Sequence, residues 1–84
     1  MKYTKYFGLI TKEKGIINVS IPQFQRMMNI VHIEGAIFGL NKAKEANKGT
    51  PDYNKYYMII FREDRKLTDL TGNLTPELLL KEML

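Results

Sequence analysis

The sequence predicts an α+β domain, in which a four-stranded antiparallel sheet packs against one long central helix and a short C-terminal helix. Two observations suggest strands and helices in alternation: short runs rich in Tyr, Phe, Ile and Leu, and two Ser or Thr residues placed where helices begin. A third is that part of the beginning of the chain recurs 50 residues later. The 84 residues suit one small domain spanning 1–84.

Four segments have the composition of β-strands. They are Tyr3–Ile10, Ile16–Val19, Tyr56–Arg62 and Leu67–Leu70. The third segment reads YYMIIFR, and an unbroken apolar run of this length is typical of a central strand covered on both faces. Polar turns at 11–15 and 63–66 would join the strands into two hairpins.

A long helix is predicted from Ser20 to Gly49. The Ser20 hydroxyl is suited to capping the first turn, Gln23 completes a capping box, and Pro22 lies where a missing N–H costs nothing. At the other end, Lys48 and Gly49 are residues that favour a helix C-terminus.

The middle of this helix is apolar on two sides, because its apolar residues do not fall on one stripe when successive side chains are placed about 100° apart. One side is expected to lie on the sheet, and the other to meet a second helix or another protein chain. In an alternative interpretation the helix ends near Asn29, and Val31–Leu40 forms two strands joined by a turn at Glu34 and Gly35.

The predicted elements follow one another in the same order twice. Tyr3, Lys5 and Tyr6 correspond to Tyr53, Lys55 and Tyr56, and each predicted hairpin precedes a capped helix. Thr75 caps the second of these helices, Pro76–Leu84, with Pro76 at its first position. The predicted architecture is therefore a ββα-ββα pseudo-repeat.

Composition narrows the function classes. The chain has no cysteine, which excludes disulfides and thiolate metal sites and fits a reducing compartment such as the cytoplasm. No apolar run approaches the ~20 residues that a membrane span needs. No Ser–His pair, carboxylate set or phosphate loop has a convincing spacing, so we expect a non-enzyme without a cofactor or a metal site.

The apolar surface of the long helix is the main functional signal, because the short C-terminal helix can cover only part of it. The sequence thus predicts a small non-catalytic accessory protein that acts by protein–protein interaction, either as a homodimer or on another protein. Its size and its Lys-, Asn- and Ile-rich composition suit a phage or mobile-element inhibitor of a host protein. The predicted interface residues are Met27, Met28, Val31, Ile37 and Phe38.

An alternative function is the binding of single-stranded nucleic acid. The formal net charge is +4, and Lys and Tyr residues cluster on two of the predicted strands. Aromatic rings on a sheet can stack on bases while cations neutralise phosphates. The candidate residues for this function are Lys5, Tyr6, Lys55, Tyr56 and Arg62.

Overall fold

The computed structural model describes residues 1–15 and 18–84, and within these ranges the chain is helical and contains no strand. Four helices follow one another along the chain: α1 Lys2–Lys14, α2 Ile21–Ala46, α3 Tyr53–Thr71 and α4 Pro76–Met83. The predicted α+β class, its four-stranded sheet and its ββα-ββα order are therefore wrong. Of the predicted strand Ile16–Val19, positions 16 and 17 lie outside the described residues.

The predicted strand Tyr3–Ile10 lies inside α1 because its apolar residues pack with helical spacing. Tyr3 and Phe7 are buried one turn apart, and Tyr6 and Ile10 repeat the same spacing beside them against the core. The Thr11 hydroxyl also donates to the Phe7 carbonyl oxygen at 2.8 Å, as it can only along a helix. Burial at helical spacing thus outweighs the strand preference of the individual residues.

The two strands and the charged turn predicted between 56 and 70 all lie within α3. Its half-buried residues recur at alternating spacings of three and four, which places them on one helix face. They are Tyr53, Tyr56, Ile60, Glu63, Leu67 and Leu70. The predicted turn is instead a stretch of helix, where Asp64, Arg65 and Lys66 are exposed and Lys66 binds the carboxylate of the half-buried Glu63 at 3.1 Å. The helix ends at Gly72, which has a left-handed φ of 61°.

The long central helix was predicted correctly. The Ser20 hydroxyl accepts a hydrogen bond from the Gln23 backbone N–H at 3.4 Å, and α2 continues unbroken from Ile21 to Ala46. The strand-pair alternative for Val31–Leu40 is therefore wrong. The helix ends three residues before Gly49, which has a φ of 86° in the turn that leads to α3.

The short C-terminal helix was also predicted correctly. The Thr75 hydroxyl accepts from the Leu78 backbone N–H at 3.3 Å, and Pro76 occupies the first turn of α4. This start places Leu79, Leu80 and Met83 in the core. The neighbouring Leu78 points to solvent.

The core lies toward one end of an elongated molecule. It joins Tyr3 and Phe7 of α1, Met27 and Ile30 of α2, and the buried residues of α4. The principal extents are 46 × 23 × 19 Å, and α2 and α3 make the most extensive contact between helices. The C-terminal half of α2 and the N-terminal half of α3 therefore form a hairpin that extends beyond this core.

Two polar contacts hold the helices in register. The buried Glu34 carboxylate of α2 accepts from the backbone N–H groups of Tyr3 and Thr4 at 3.1 and 2.6 Å, and from the Thr4 hydroxyl at 2.8 Å. Because both N–H groups lie in the first turn of α1, which begins at Lys2, Glu34 caps that helix from a different part of the chain. Arg26 donates from Nε to the Leu70 carbonyl oxygen at 2.8 Å, near the end of α3.

None of the four helices is long and apolar enough to cross a lipid bilayer, over the part of the chain that the structure describes.

Candidate protein-docking surface

The outer face of α2 carries a line of residues that we call the outer seam. Successive members are three or four positions apart, so they form a single stripe along about 26 Å of helix at 1.5 Å per residue. The outer seam consists of Ile21, Phe24, Met28, Val31, Gly35 and Phe38. Spacing of this kind is that of the contact line between two paired helices.

The outer seam faces solvent, although five of its six members are apolar. The exposed fractions are 75% for Ile21, 55% for Phe24, 50% for Met28 and 51% for Phe38. Val31 is half-buried, and Gly35 has no heavy atom within 4 Å of the place where a Cβ would lie. The described residues of the chain therefore leave this face of α2 uncovered.

A groove between α1 and α2 adjoins the outer seam. Its volume is about 440 Å³, and it is lined on the α2 side by Phe24, Met28 and Val31. On the α1 side the lining includes Gly8, which also has open space where a Cβ would lie. The groove thus offers an apolar depression beside the raised side chains of Phe24 and Met28.

The structure separates the five predicted interface residues into three groups. Met28 and Phe38 lie exposed on the outer seam, and Val31 lies partly covered between them. Met27 is buried in the core. Ile37 is half-buried beside α3, where it lines a pocket with Tyr57 and Phe61.

The predicted interface residues do not include Ile21 and Phe24, although both are more than half exposed on the same stripe. The alternation of three and four residues from 21 to 38 was the signal that extends the stripe to the first turn of α2.

The residues predicted to bind nucleic acid lie on helices, not on strands. Lys5 and Tyr6 are on α1, whereas Lys55, Tyr56 and Arg62 are on α3. The rings of Tyr6 and Tyr56 are half-buried, and Tyr6 packs against the core. The flat array of aromatic rings that motivated this alternative is therefore absent from the described residues.

The outer face of α3 also exposes large apolar side chains. Met58 is 59% exposed and Phe61 is 57% exposed, close to the values of Met28 and Phe38 on α2. Charged residues interrupt this face, since Arg62 and Arg65 lie beside them on the exposed side of the helix. Met58 and Phe61 therefore provide matched controls for substitutions in the outer seam.

Titratable side chains of α2 and α3 share a pocket. Across residues 1–15 and 18–84, no three or more His, Asp or Glu side chains are grouped so that they could hold a metal ion. The single histidine, His32, is exposed on α2 beside the outer seam, and it lines a pocket of about 600 Å³ with Glu63 and Asp69 of α3.

Comparison with known proteins adds no relative. No protein-family model matches the chain, and neither a curated protein nor a solved structure matches it.

Proposed function

We propose that this protein is a small non-catalytic binding protein that docks on another polypeptide through the outer seam of α2. The observation that carries the proposal is the solvent exposure of Ile21, Phe24, Met28 and Phe38 along one helix face. A fully exposed aromatic side chain presents roughly 200 Å², so the four together expose on the order of 400 Å² of mostly apolar surface. Patches of this size on small proteins often mark interaction sites.

The arrangement of the patch supports a polypeptide partner over a small ligand. Its members form a straight stripe about 26 Å long, which matches an extended helix face rather than an enclosed ligand cavity. The groove beside it is open and apolar, and Gly8 and Gly35 allow close approach of a backbone or a bulky side chain. Recognition of a helix by a stripe and an adjoining groove is a common mode of protein binding.

Site-specific photocrosslinking tests this proposal. A benzophenone amino acid is introduced singly at Met28 or Phe38 of the outer seam, and at Met58 or Phe61 of α3 as controls with nearly the same exposure. Cells that produce each variant are irradiated, and covalent adducts with any polypeptide are separated by mass.

Adducts that form from positions 28 and 38 but not from positions 58 and 61 are expected. Equal yields from both helices would indicate nonspecific apolar contact, and a lack of adducts from the outer seam would contradict the proposal. The mass of each adduct also separates self-association from the binding of a different protein.

The binding of nucleic acid stays a prediction and is not proposed as a second function. The two segments predicted to bind it as strands are helical, and Tyr6 and Tyr56 are half-buried. The narrower prediction of a phage or mobile-element inhibitor likewise stays a prediction from composition.

A further inference from the structure

We propose that the occupant of the outer seam is a second copy of this chain, with the two α2 helices packed antiparallel about a two-fold axis. This inference depends on the proposed function, because it names the polypeptide that docks there. The resulting interface would be isologous, with the same residues contributed by each copy.

The first argument is the symmetry of the spacing. From Ile21 to Phe38 the steps along the outer seam are three, four, three, four and three residues. This series is the same in both directions, as it also is on the half-buried face of α3, so it permits an antiparallel second copy to meet it position for position. The centre of the series lies between Asn29 and Ile30, where the two-fold axis would cross α2.

The second argument is the sizes of the residues that this register brings together. Phe24 of one copy faces Gly35 of the other, so the largest ring meets the position with open space. Met28 faces Val31, and Ile21 faces Phe38. All three pairs occur twice in the dimer, and each joins residues of the outer seam without leaving a polar group unpaired.

Gly35 is otherwise unexplained in the monomer. A glycine inside a helix costs about 1 kcal/mol relative to alanine. No packing neighbour lies within 4 Å of the place where a Cβ at position 35 would be, and the same is true of the helical Gly8 and Gly39, so internal packing does not require glycine at these positions. In the antiparallel pair the space at position 35 would be filled by Phe24 of the second copy.

The third argument is the available area. The four most exposed residues of the outer seam offer on the order of 400 Å² per copy. If flanking polar side chains were buried with them, at the roughly 60% apolar share that is typical of interfaces, the total would be roughly 650 Å² per copy. Stable complexes begin at about 600 Å² per partner, so the outer seam suffices for a dimer of modest affinity.

The charges permit self-association even though each copy has a net charge of +4. No member of the outer seam is charged, and the one acidic residue of α2 within this length, Glu34, is buried under α1. The next cation along the exposed face is Lys42. Its ammonium nitrogen lies 4.5 Å from the centre of the Phe38 ring, and so at the C-terminal end of the outer seam.

The test begins with the solution mass, measured by sedimentation over a dilution series from about 500 μM to below 1 μM, a range set by the modest area. A reversible monomer–dimer equilibrium that is nearly unchanged at high salt is expected, because apolar contacts dominate the interface. A monomer throughout this range would overturn the inference.

Matched variants locate the interface. Met28→Lys is expected to raise the dimer dissociation constant on the order of 100-fold or more, since each dimer loses the contact twice. Met58→Lys, at similar exposure on α3, is expected to leave it unchanged. Gly35→Leu places its Cβ where the monomer has open space, and it is expected to weaken the dimer by about 10-fold while helix content stays the same. Equal effects of Met28→Lys and Met58→Lys, or none from Met28→Lys, would overturn the assignment to the outer seam.

Orientation is read from disulfides, which is straightforward because the chain has no cysteine of its own. Chains with Ile21→Cys and Phe38→Cys, distinguished by mass, are mixed and oxidised. Mixed disulfides between the two variants are expected for the antiparallel register, whereas disulfides between identical variants would support a parallel pair and overturn it.

The outcomes separate this inference from the proposed function. A monomeric chain whose seam positions still crosslink to a different protein in cells would overturn the second copy while the proposed function stands. A monomeric chain whose seam positions do not crosslink would overturn both.

Discussion

We expect replacement of Glu34 to destabilise the fold by releasing the first turn of α1 from α2. The carboxylate accepts three hydrogen bonds from Tyr3 and Thr4, at 2.6 to 3.1 Å, and it is buried. Glu34→Ala removes all three acceptor contacts and leaves two N–H groups at a helix N-terminus without their partner. Glu34→Gln keeps the shape but presents an amide donor in place of one of the two oxygens.

The magnitudes follow from these contacts. A hydrogen bond to a charged group contributes about 1.5–3 kcal/mol, and the loss of a helix cap costs about 0.5–2 kcal/mol. Because the three bonds share one group, they are not additive, and we expect Glu34→Ala to cost about 2–4 kcal/mol. For Glu34→Gln the loss of charge at the helix N-terminus and of one bond predicts about 1–2 kcal/mol.

Urea unfolding followed by far-ultraviolet circular dichroism measures these values, at one fixed protein concentration so that any association is held constant. The control is Glu45→Ala, which removes an exposed carboxylate from the same helix and is expected to change stability by less than about 0.5 kcal/mol. Hydrogen exchange of the Tyr3 and Thr4 amides is expected to accelerate in Glu34→Ala. If Glu34→Ala were no more destabilising than Glu45→Ala, or left that exchange unchanged, the carboxylate would not anchor α1.

Two further pairs of variants test the packing. Leu79→Ala is expected to lower the free energy of unfolding by about 2–5 kcal/mol, because this side chain is fully buried. Leu78→Ala is expected to lower it by only about 0.5 kcal/mol, because the neighbouring Leu78 is exposed to solvent. Both values are measured by urea unfolding, and similar losses for the two variants would contradict the placement of α4. Gly72→Ala is expected to destabilise by about 1 kcal/mol because residue 72 has a φ of 61°, but Gly8→Ala is expected to stabilise by about 0.5–1 kcal/mol, since it lies in a helix with open space for a methyl group. A shift of thermal midpoint with the same sign in both glycine variants would count against the assigned backbone conformations.

Helix-start chemistry was the part of the fold that could be predicted from the sequence. Ser20 and Thr75 both cap the helices that they were expected to cap, because a side-chain hydroxyl followed by proline specifies a helix start through local contacts alone. Local contacts of this kind do not depend on the rest of the fold, so the sequence predicts them well.

The identity of α1 and α3 could not be predicted in the same way. The run YYMIIFR has a high strand propensity, yet Tyr57, Met58, Ile59 and Phe61 within it are exposed on a helix. Strand propensity reflects packing on a half-buried sheet surface, which this chain does not form in its described residues. The signal that identifies the helix extends over more residues than this run. It is the alternating spacing of three and four between the half-buried residues from Tyr53 to Leu70, and the turn predicted at 63–66 interrupted it.

The predicted interface stays a prediction, but the structure does show where its five residues lie. Periodicity identified α2 as a helix with apolar residues on more than one side, and two of the five residues, Met28 and Phe38, are exposed on it. It could not show that α1 covers Met27, since α1 was assigned to a sheet. Which apolar residue of a helix is buried depends on the neighbouring helices, and these were known only from the structure.

The extended hairpin has a consequence for how stability is distributed along the molecule. The C-terminal end of α2 and the N-terminal end of α3 are joined by the turn at 47–52. They lie away from the core that α1 and α4 complete, and they mainly contact each other. This end should therefore open by local fluctuations that leave the rest folded, with weaker amide protection than the helical turns around Ile30. It is also the natural place for a spectroscopic label or an inserted sequence, because the turn is exposed at Lys48 and Gly49 and distant from the buried residues.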